Sequence, residues 1–500
     1  MCLSFFFIEQ AEEVIDDIKG NEGNGKKRQA YRDITLKLRS NGVGTAAHEI
    51  GHALGFFRTQ SRNERDSFVT LYTQNFMERN AMDTKKLLEQ MHEMEDEIND
   101  ELSLTEERNA ELSNEMKNYV EVKKDHIKAA GDTIEEINQK SNVDTALFQG
   151  DMLLTKEQAE EVIDDIKGNE GNRNKRQAYR DGYYPRTLWS NGVYYSFHRT
   201  TSREARSVFK KAAAAWQSET CINFSESNTG LIMTEIVKTL EFKDYIMKKF
   251  QASSRIVLIK ANGCWSMDGW LSQFTKQSQR SNYNYNLTYD YGSVMHYGAT
   301  SVSKNNKPIM VPRDVKYTQT LGSPIISFYE KLMMNMHYKC LDKCNAPSSA
   351  TCKNGGFPHP RTCTRCICPS GYGGNLCDSR VKNSHLNHSS LGVHANAPAG
   401  SKIEVVLENY TRGFAIDGCT YAGVEIKTGS DKRHTGYRQA SNSQKVNSFK
   451  SLLCIEMFRF CALENVGTSL VSTHNIVPVI TYSRSRAATT VLRYRISNVI

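Results

Sequence analysis

No run of eighteen or more apolar residues occurs anywhere in the 500-residue chain, so a helical membrane span is not expected. A basic stripe interleaved with aromatics is also missing. The formal net charge of +8 is spread over segments of both signs, which argues against nucleic acid as a partner. Cysteine is absent between Cys2 and Cys221, and then seven of the thirteen cysteines crowd between Cys340 and Cys377. Such clustering suits an oxidising compartment. Four Asn-x-Ser/Thr sequons, at Asn223, Asn286, Asn387 and Asn409, fall in the same cysteine-bearing part and point to a secreted, glycosylated protein. The apolar start MCLSFFFI is short, lacks a basic flank and runs straight into EQAEEVIDD, so it reads poorly as a signal peptide. Residues 84–140 hold no proline and one glycine, Gly131. There Leu87, Met91, Met94, Ile98 and Leu102 recur at spacings of three and four, the pattern of one or two long amphipathic helices.

What is present is concentrated in HEIGHALGFFR, residues 48–58. On a helix, His48 and His52 project from one face and can share a Zn²⁺ ion, with Glu49 beside them to accept a proton from an attacking water. This is the chemistry of a peptidase that polarises a carbonyl with zinc. Gly55 allows the chain to turn out of the helix, as in the HExxHxxGxxH signature that brings a third histidine round to the metal. Position 58, where that histidine belongs, carries Arg58, which stays protonated and offers no lone pair.

Five hundred residues exceed one hydrophobic core, so two to four domains are expected. A 25-residue repeat supports partial duplication: EQAEEVIDDIKGNEGNGKKRQAYRD at 9–33 returns at 157–181 with changes only at Gly25/Arg173 and Lys26/Asn174. Each copy is followed by SNGV, after which the first continues into GTAAHEIGH and the second into YYSFHRTTSREARSVFKKAAAAWQSETCINF. From 182 onward the pattern is α+β, with an alternating strand Val193 to Phe197 and an Ala-rich helix from about Ser202 to Ser218. A buried strand is expected over Arg255 to Lys260. Residues 230–254 read as a helix-like insertion. The run Arg173-Asn174-Lys175-Arg176 lies in a Gly/Asn-rich, accessible stretch and has the form of a proprotein-convertase site, cut between Arg176 and Gln177. Spacing alone leaves fifteen pairings open for six clustered cysteines, and CTRCIC could also be read as a zinc knuckle. Beyond Asn396, KIEVVLENY, GVEIKT, PVITYS and TTVLRYRI alternate as strands of a β-sandwich.

Taken together, HEIGHALGF followed by QSR and Asn63-Glu64-Arg65-Asp66, GCW at 263–265, SVMHY at 293–297 and the cysteine framework resemble the astacin family of zinc metallopeptidases in its nematode arrangement. The resemblance implies a multidomain chain: a helical pro-region, an α+β metzincin-like peptidase domain, a small disulfide-rich EGF-like module and an all-β CUB sandwich. It implies these boundaries: 1–43, a duplicated end of the pro-region; 44–80, a displaced zinc-helix segment; 81–176, the pro-region; 177–340, the peptidase domain with insertion 230–254; 341–379, EGF-like; 380–500, CUB-like with insertion 439–458.

The resemblance further implies site roles. His48 and His52 become zinc ligands, Glu49 the general base, Met295 the apolar floor of a Met-turn, and Tyr297 a movable ligand that stabilises the oxyanion. Asp151, in FQGD, becomes the pro-region residue that ligates zinc and displaces the catalytic water. The implied disulfides are Cys221–Cys340, Cys344–Cys363, Cys352–Cys366, Cys368–Cys377 and Cys419–Cys461. The family order is broken, because the zinc helix lies some two hundred residues upstream of GCW rather than after it. The expected function is a secreted zymogen of a zinc endopeptidase that cuts extracellular or cuticle-type proteins, with a protein or glycan ligand for the CUB domain. The alternative is a catalytically inactive secreted protein that binds partners through its EGF-like and CUB modules.

Overall fold

The structure is a computed structural model. It describes residues 34–35, 43–62, 64–71, 79–80, 133–134, 136, 178–179, 184–186, 188–197, 201–227, 231–234, 266–267, 274, 282–303, 307–380, 389–410, 416–439, 469–483 and 490–497. The expected helices of 84–140, the strand over 255–260, Asp151, Arg176, Gln177, Asn387 and Cys461 lie outside these residues or almost wholly so. The chain divides into two compact units, one of residues 1–65, 76–102 and 133–286, the other of 66–75, 103–132 and 287–500.

Among the described residues, the first unit is built on a four-stranded sheet and two helices. In chain order these are β1 (Ile34–Thr35), α1 (Val43–Ala53), β2 (Val193–Phe197), α2 (Arg203–Glu219), β3 (Phe224–Glu226) and β4 (Leu231–Thr234). The sheet order is β1-β4-β2-β3, and all three pairings are parallel. α2 starts where Ser202 caps it, its side chain accepting from Ala205 N at 3.1 Å. Its Ala205, Val208, Phe209, Ala212, Ala213 and Trp216 recur at helical spacing and are buried. β4 corrects the expectation of a helix-like insertion beginning at 230. Leu231–Thr234 instead joins the sheet, with Tyr195 opposite Leu231 and Ile34 opposite Met233, and residues 235–254 lie outside the described ones.

α1 is buried on nearly every side: Gly44, Ala46, Ala47, His48, Glu49, Ile50, Gly51, His52 and Ala53 are all inside. A helix buried all round belongs in a core, and its small residues let it lie close against α2. Two tryptophans tie it down. Trp216 Nε1 donates to Ala47 O at 2.9 Å, and Trp189 Nε1 donates to Ala53 O at 3.0 Å, satisfying a carbonyl at the helix end. The helix is therefore held by tryptophans that follow their partners in the chain by 136 and 169 positions.

The second unit contains the strand pair Val69–Leu71 with Met310–Pro312, helix α3 (Phe328–His337), a small disulfide-rich segment, and a sandwich. Three bonds hold the small segment: Cys344–Cys363, Cys352–Cys366 and Cys368–Cys377. The sandwich strands are β5 (Ser389–Asn396), β6 (Lys402–Tyr410), β7 (Ala422–Ile426), β8 (Tyr437–Gln439), β9 (Ser469–Val471), β10 (Ile476–Ser483) and β11 (Thr490–Ser497). One sheet runs β5-β10-β7-β8 and the other β9-β6-β11. Ile403, Val405, Leu407, Val424, Ile426, Leu470 and Val477 close the core between them.

Of the disulfide expected between Cys419 and Cys461, Cys461 lies outside the described residues. Cys419 is a free, buried thiol in the left-handed region at φ 51°, with its Sγ directed to Gln319 O at 3.7 Å. Burial pushes that thiol up to about 12. No described helix is long and apolar enough to cross a membrane.

Candidate metal centre

The site is organised by how α1 ends. Phe56 N donates to Gly51 O at 2.9 Å and Gly55 N to His52 O at 3.0 Å, the paired bonds of a Schellman cap with Gly55 at φ 107°. A side chain is disfavoured at that φ, so the glycine permits the turn. The turn carries Phe56 into an antiparallel bridge with Ala178 and leaves Arg58 extended at φ −64°, ψ 139°.

Within the helix, His48 and His52 converge. Their Nε2 atoms are 3.0 Å apart, and the rings meet edge-on with centroids 4.6 Å apart. His52 Nδ1 donates to Phe56 O at 2.7 Å, which fixes its tautomer and makes Nε2 the lone-pair nitrogen. Two nitrogens bound to one tetrahedral zinc at ~2.05 Å would be about 3.3 Å apart, so this pair fits two corners of such a site. Glu49 is buried beside them on the same helix, 6% exposed.

The third corner does not fit. Arg58 occupies the position after the turn and is 1% exposed. Among the described residues no group of three or more His, Cys, Asp or Glu side chains is placed to hold a metal. Beyond Arg58 the chain buries two more guanidinium groups, Arg62 and Arg65. Glu64 pairs with Arg62 and accepts from Asn284 Nδ2 at 3.0 and 3.1 Å, while Arg65 donates to Phe274 O.

Met295 and Tyr297 belong to the second unit, in a tight turn where Ser293 N donates to Asp290 O at 3.3 Å and His296 N to Ser293 O at 3.2 Å. Met295 and Tyr297 are both buried. Sequence reading missed the residue that holds this turn. Glu330, from α3, accepts from Ser293 Oγ, from Val294 N at 3.2 Å and from Met295 N at 3.1 Å, while completing a capping box with Ser327. Burial pushes its carboxyl up to about 7 against these bonds. The Ser-x-x-Glu at 327–330 was a readable helix start, but nothing in it pointed to the turn.

Of the other site residues, Cys221 and Cys340 are each disulfide-bonded. Asn223 and Asn286 are exposed, and Asn409 lies in β6.

Comparison with known proteins gives these features a lineage. A family model described as Astacin, a peptidase family, matches residues 15–149, 182–243 and 267–339. Zinc metalloproteinase nas-31 of Caenorhabditis elegans is 34% identical over 433 residues, covering 74% of this chain and 67% of the relative. Zinc metalloproteinases nas-29 and nas-23 of the same nematode are each 27% identical, over 439 and 412 residues, covering 68% and 70% of this chain and 74% and 71% of the relatives. The chain belongs to the astacin family of metallopeptidases, whose members are zinc-dependent.

Proposed function

We propose that the chain is a secreted metalloendopeptidase of the nematode astacin type, made as a zymogen and directed at extracellular or cuticle-type proteins. The observation that carries this reading is the convergence of His48 and His52 Nε2 at 3.0 Å with His52 Nδ1 held by Phe56 O. In this reading the two imidazoles hold zinc, Glu49 takes a proton from the attacking water, and Tyr297 donates to the developing oxyanion. Zinc, when bound, polarises the scissile carbonyl and acidifies water. Asp151 blocks the site until cleavage between Arg176 and Gln177 frees it. Because Arg58 takes the third ligand's place, binding is expected to be weak and the native chain slow.

The domain boundaries are those the family resemblance implies. Three disulfides at 344–377 support an EGF-like module, and a sandwich of seven strands among the described residues of 389–497 supports a CUB domain for a protein or glycan ligand. Arg58 itself favours a second reading, a catalytically inactive protein that binds through those two modules.

Casein cleavage by the processed full chain, titrated with zinc and compared with Glu49→Gln, separates the two. The peptidase reading expects cleavage that rises with zinc and is lost in Glu49→Gln. No cleavage at saturating zinc by the native chain, with cleavage by Arg58→His, establishes the inactive reading.

A further inference from the structure

The outer face of a β-sandwich normally carries solvated polar residues. Here the outer face of β7 and β8 is closed: Glu425 and Lys427 are each 4% exposed, and Arg438 is 3% exposed. These groups are bonded within the protein: Glu425 pairs with Arg438, and Lys427 Nζ donates to Ser370 Oγ at 3.1 Å. Glu425 accepts from Arg438 Nε at 3.1 Å and from Ser370 Oγ at 2.9 Å, and Arg438 N donates to Thr320 Oγ1 at 3.0 Å. The buried face therefore rests on residues of the peptidase segment and of the small disulfide-rich segment within the same compact unit.

What it covers is the turn that carries Met295. On the entering side, Thr435 donates to Asp290, from N at 3.3 Å and from Oγ1 at 3.2 Å. On the leaving side, Thr300 donates to Asp417 Oδ2, from N at 3.2 Å and from Oγ1 at 2.8 Å. The glycines that bracket the turn are backed against the same two residues. A Cβ at Gly292 would collide with the Thr435 side chain, and a Cβ at Gly298 with the Asp417 carboxylate. Neither glycine has a positive φ, so the backbone does not demand glycine there; the sandwich does.

We propose that the C-terminal sandwich is a fixed clamp on the Met295 turn, with Thr435 and Asp417 as positioning residues at its two ends. The sandwich is then part of the peptidase architecture, in addition to any ligand it binds, and the turn keeps its shape only while the sandwich is docked.

Amide hydrogen exchange on the full chain tests this. Asp417→Ala and Thr435→Val should speed exchange of the amides at 291–298 by about tenfold or more. Asp417→Asn and Thr435→Ser, which keep the acceptor and the hydroxyl, should restore exchange to within about threefold of the parent. Gly298→Ala approaches the interface from the other side without altering the sandwich and should loosen the same amides. Throughout, the amides of 344–377 should stay protected. Unchanged exchange at 291–298 in Gly298→Ala and in the Asp417→Ala/Thr435→Val double variant overturns the proposal. So does loosening spread evenly along the chain, which marks general destabilisation only.

Discussion

At the scale of single residues, two buried ionisable side chains, Arg58 and Glu330, matter most. Arg58 stands at the sequence position where the HExxHxxGxxH pattern carries its third histidine, which is legible in the sequence alone. Glu330 was not legible, because its role depends on α3 meeting a turn more than thirty residues upstream. Its carboxyl is pushed up to about 7 from 4.5, chiefly by burial, with Asp290 adding to the push. The folded state therefore binds a proton more tightly than the unfolded chain. The resulting stability is fully present below pH ~4.5 and is lost as pH rises through ~7, a change of about 3 kcal/mol. Urea unfolding of Glu330→Gln across that window should show this slope flattened.

Cys419 gives a second residue-scale outcome. As a buried free thiol, it should resist iodoacetamide in the native chain and label only in denaturant. Peptide mapping without reduction tests the bond to Cys461 that the family resemblance implies: a Cys419–Cys461 peptide would contradict the free thiol.

At the scale of elements, the regular pieces were legible where periodicity was strong. The alternation Val193–Phe197 and the three-four spacing of α2 pointed to a strand and a helix within a residue or two of those observed. The strand Leu231–Thr234 was missed because so short a run carries no clear period; its parallel neighbours, one of them starting at residue 34, decide it. The docking of α1 was likewise hidden, since the tryptophans that hold it lie far off in sequence. Trp216→Phe removes the bond to Ala47 O and should cost about 1 kcal/mol. Gly55→Ala, at φ 107°, should cost about 1–2 kcal/mol through backbone strain. Urea midpoints of the two variants test both.

At the scale of the whole molecule, segments far apart in the chain are brought together. Residues 43–65 are held in the first unit by Trp189, Trp216, Phe274 and Asn284, and residues 69–71 pair in the second with 310–312. A cut after Arg176 should thus leave the helix-bearing fragment attached without a covalent link. Size exclusion after a basic-site protease should show the fragments eluting together in buffer and separating in denaturant.

The central claim is that the helix presents two zinc ligands and that Arg58 withholds the third. Zinc content of the purified full chain and of Arg58→His, measured after dialysis against low micromolar zinc, tests it most directly. Well under one zinc per native chain and about one per Arg58→His chain are expected. One tightly held zinc in the native chain, or none in either, would contradict it.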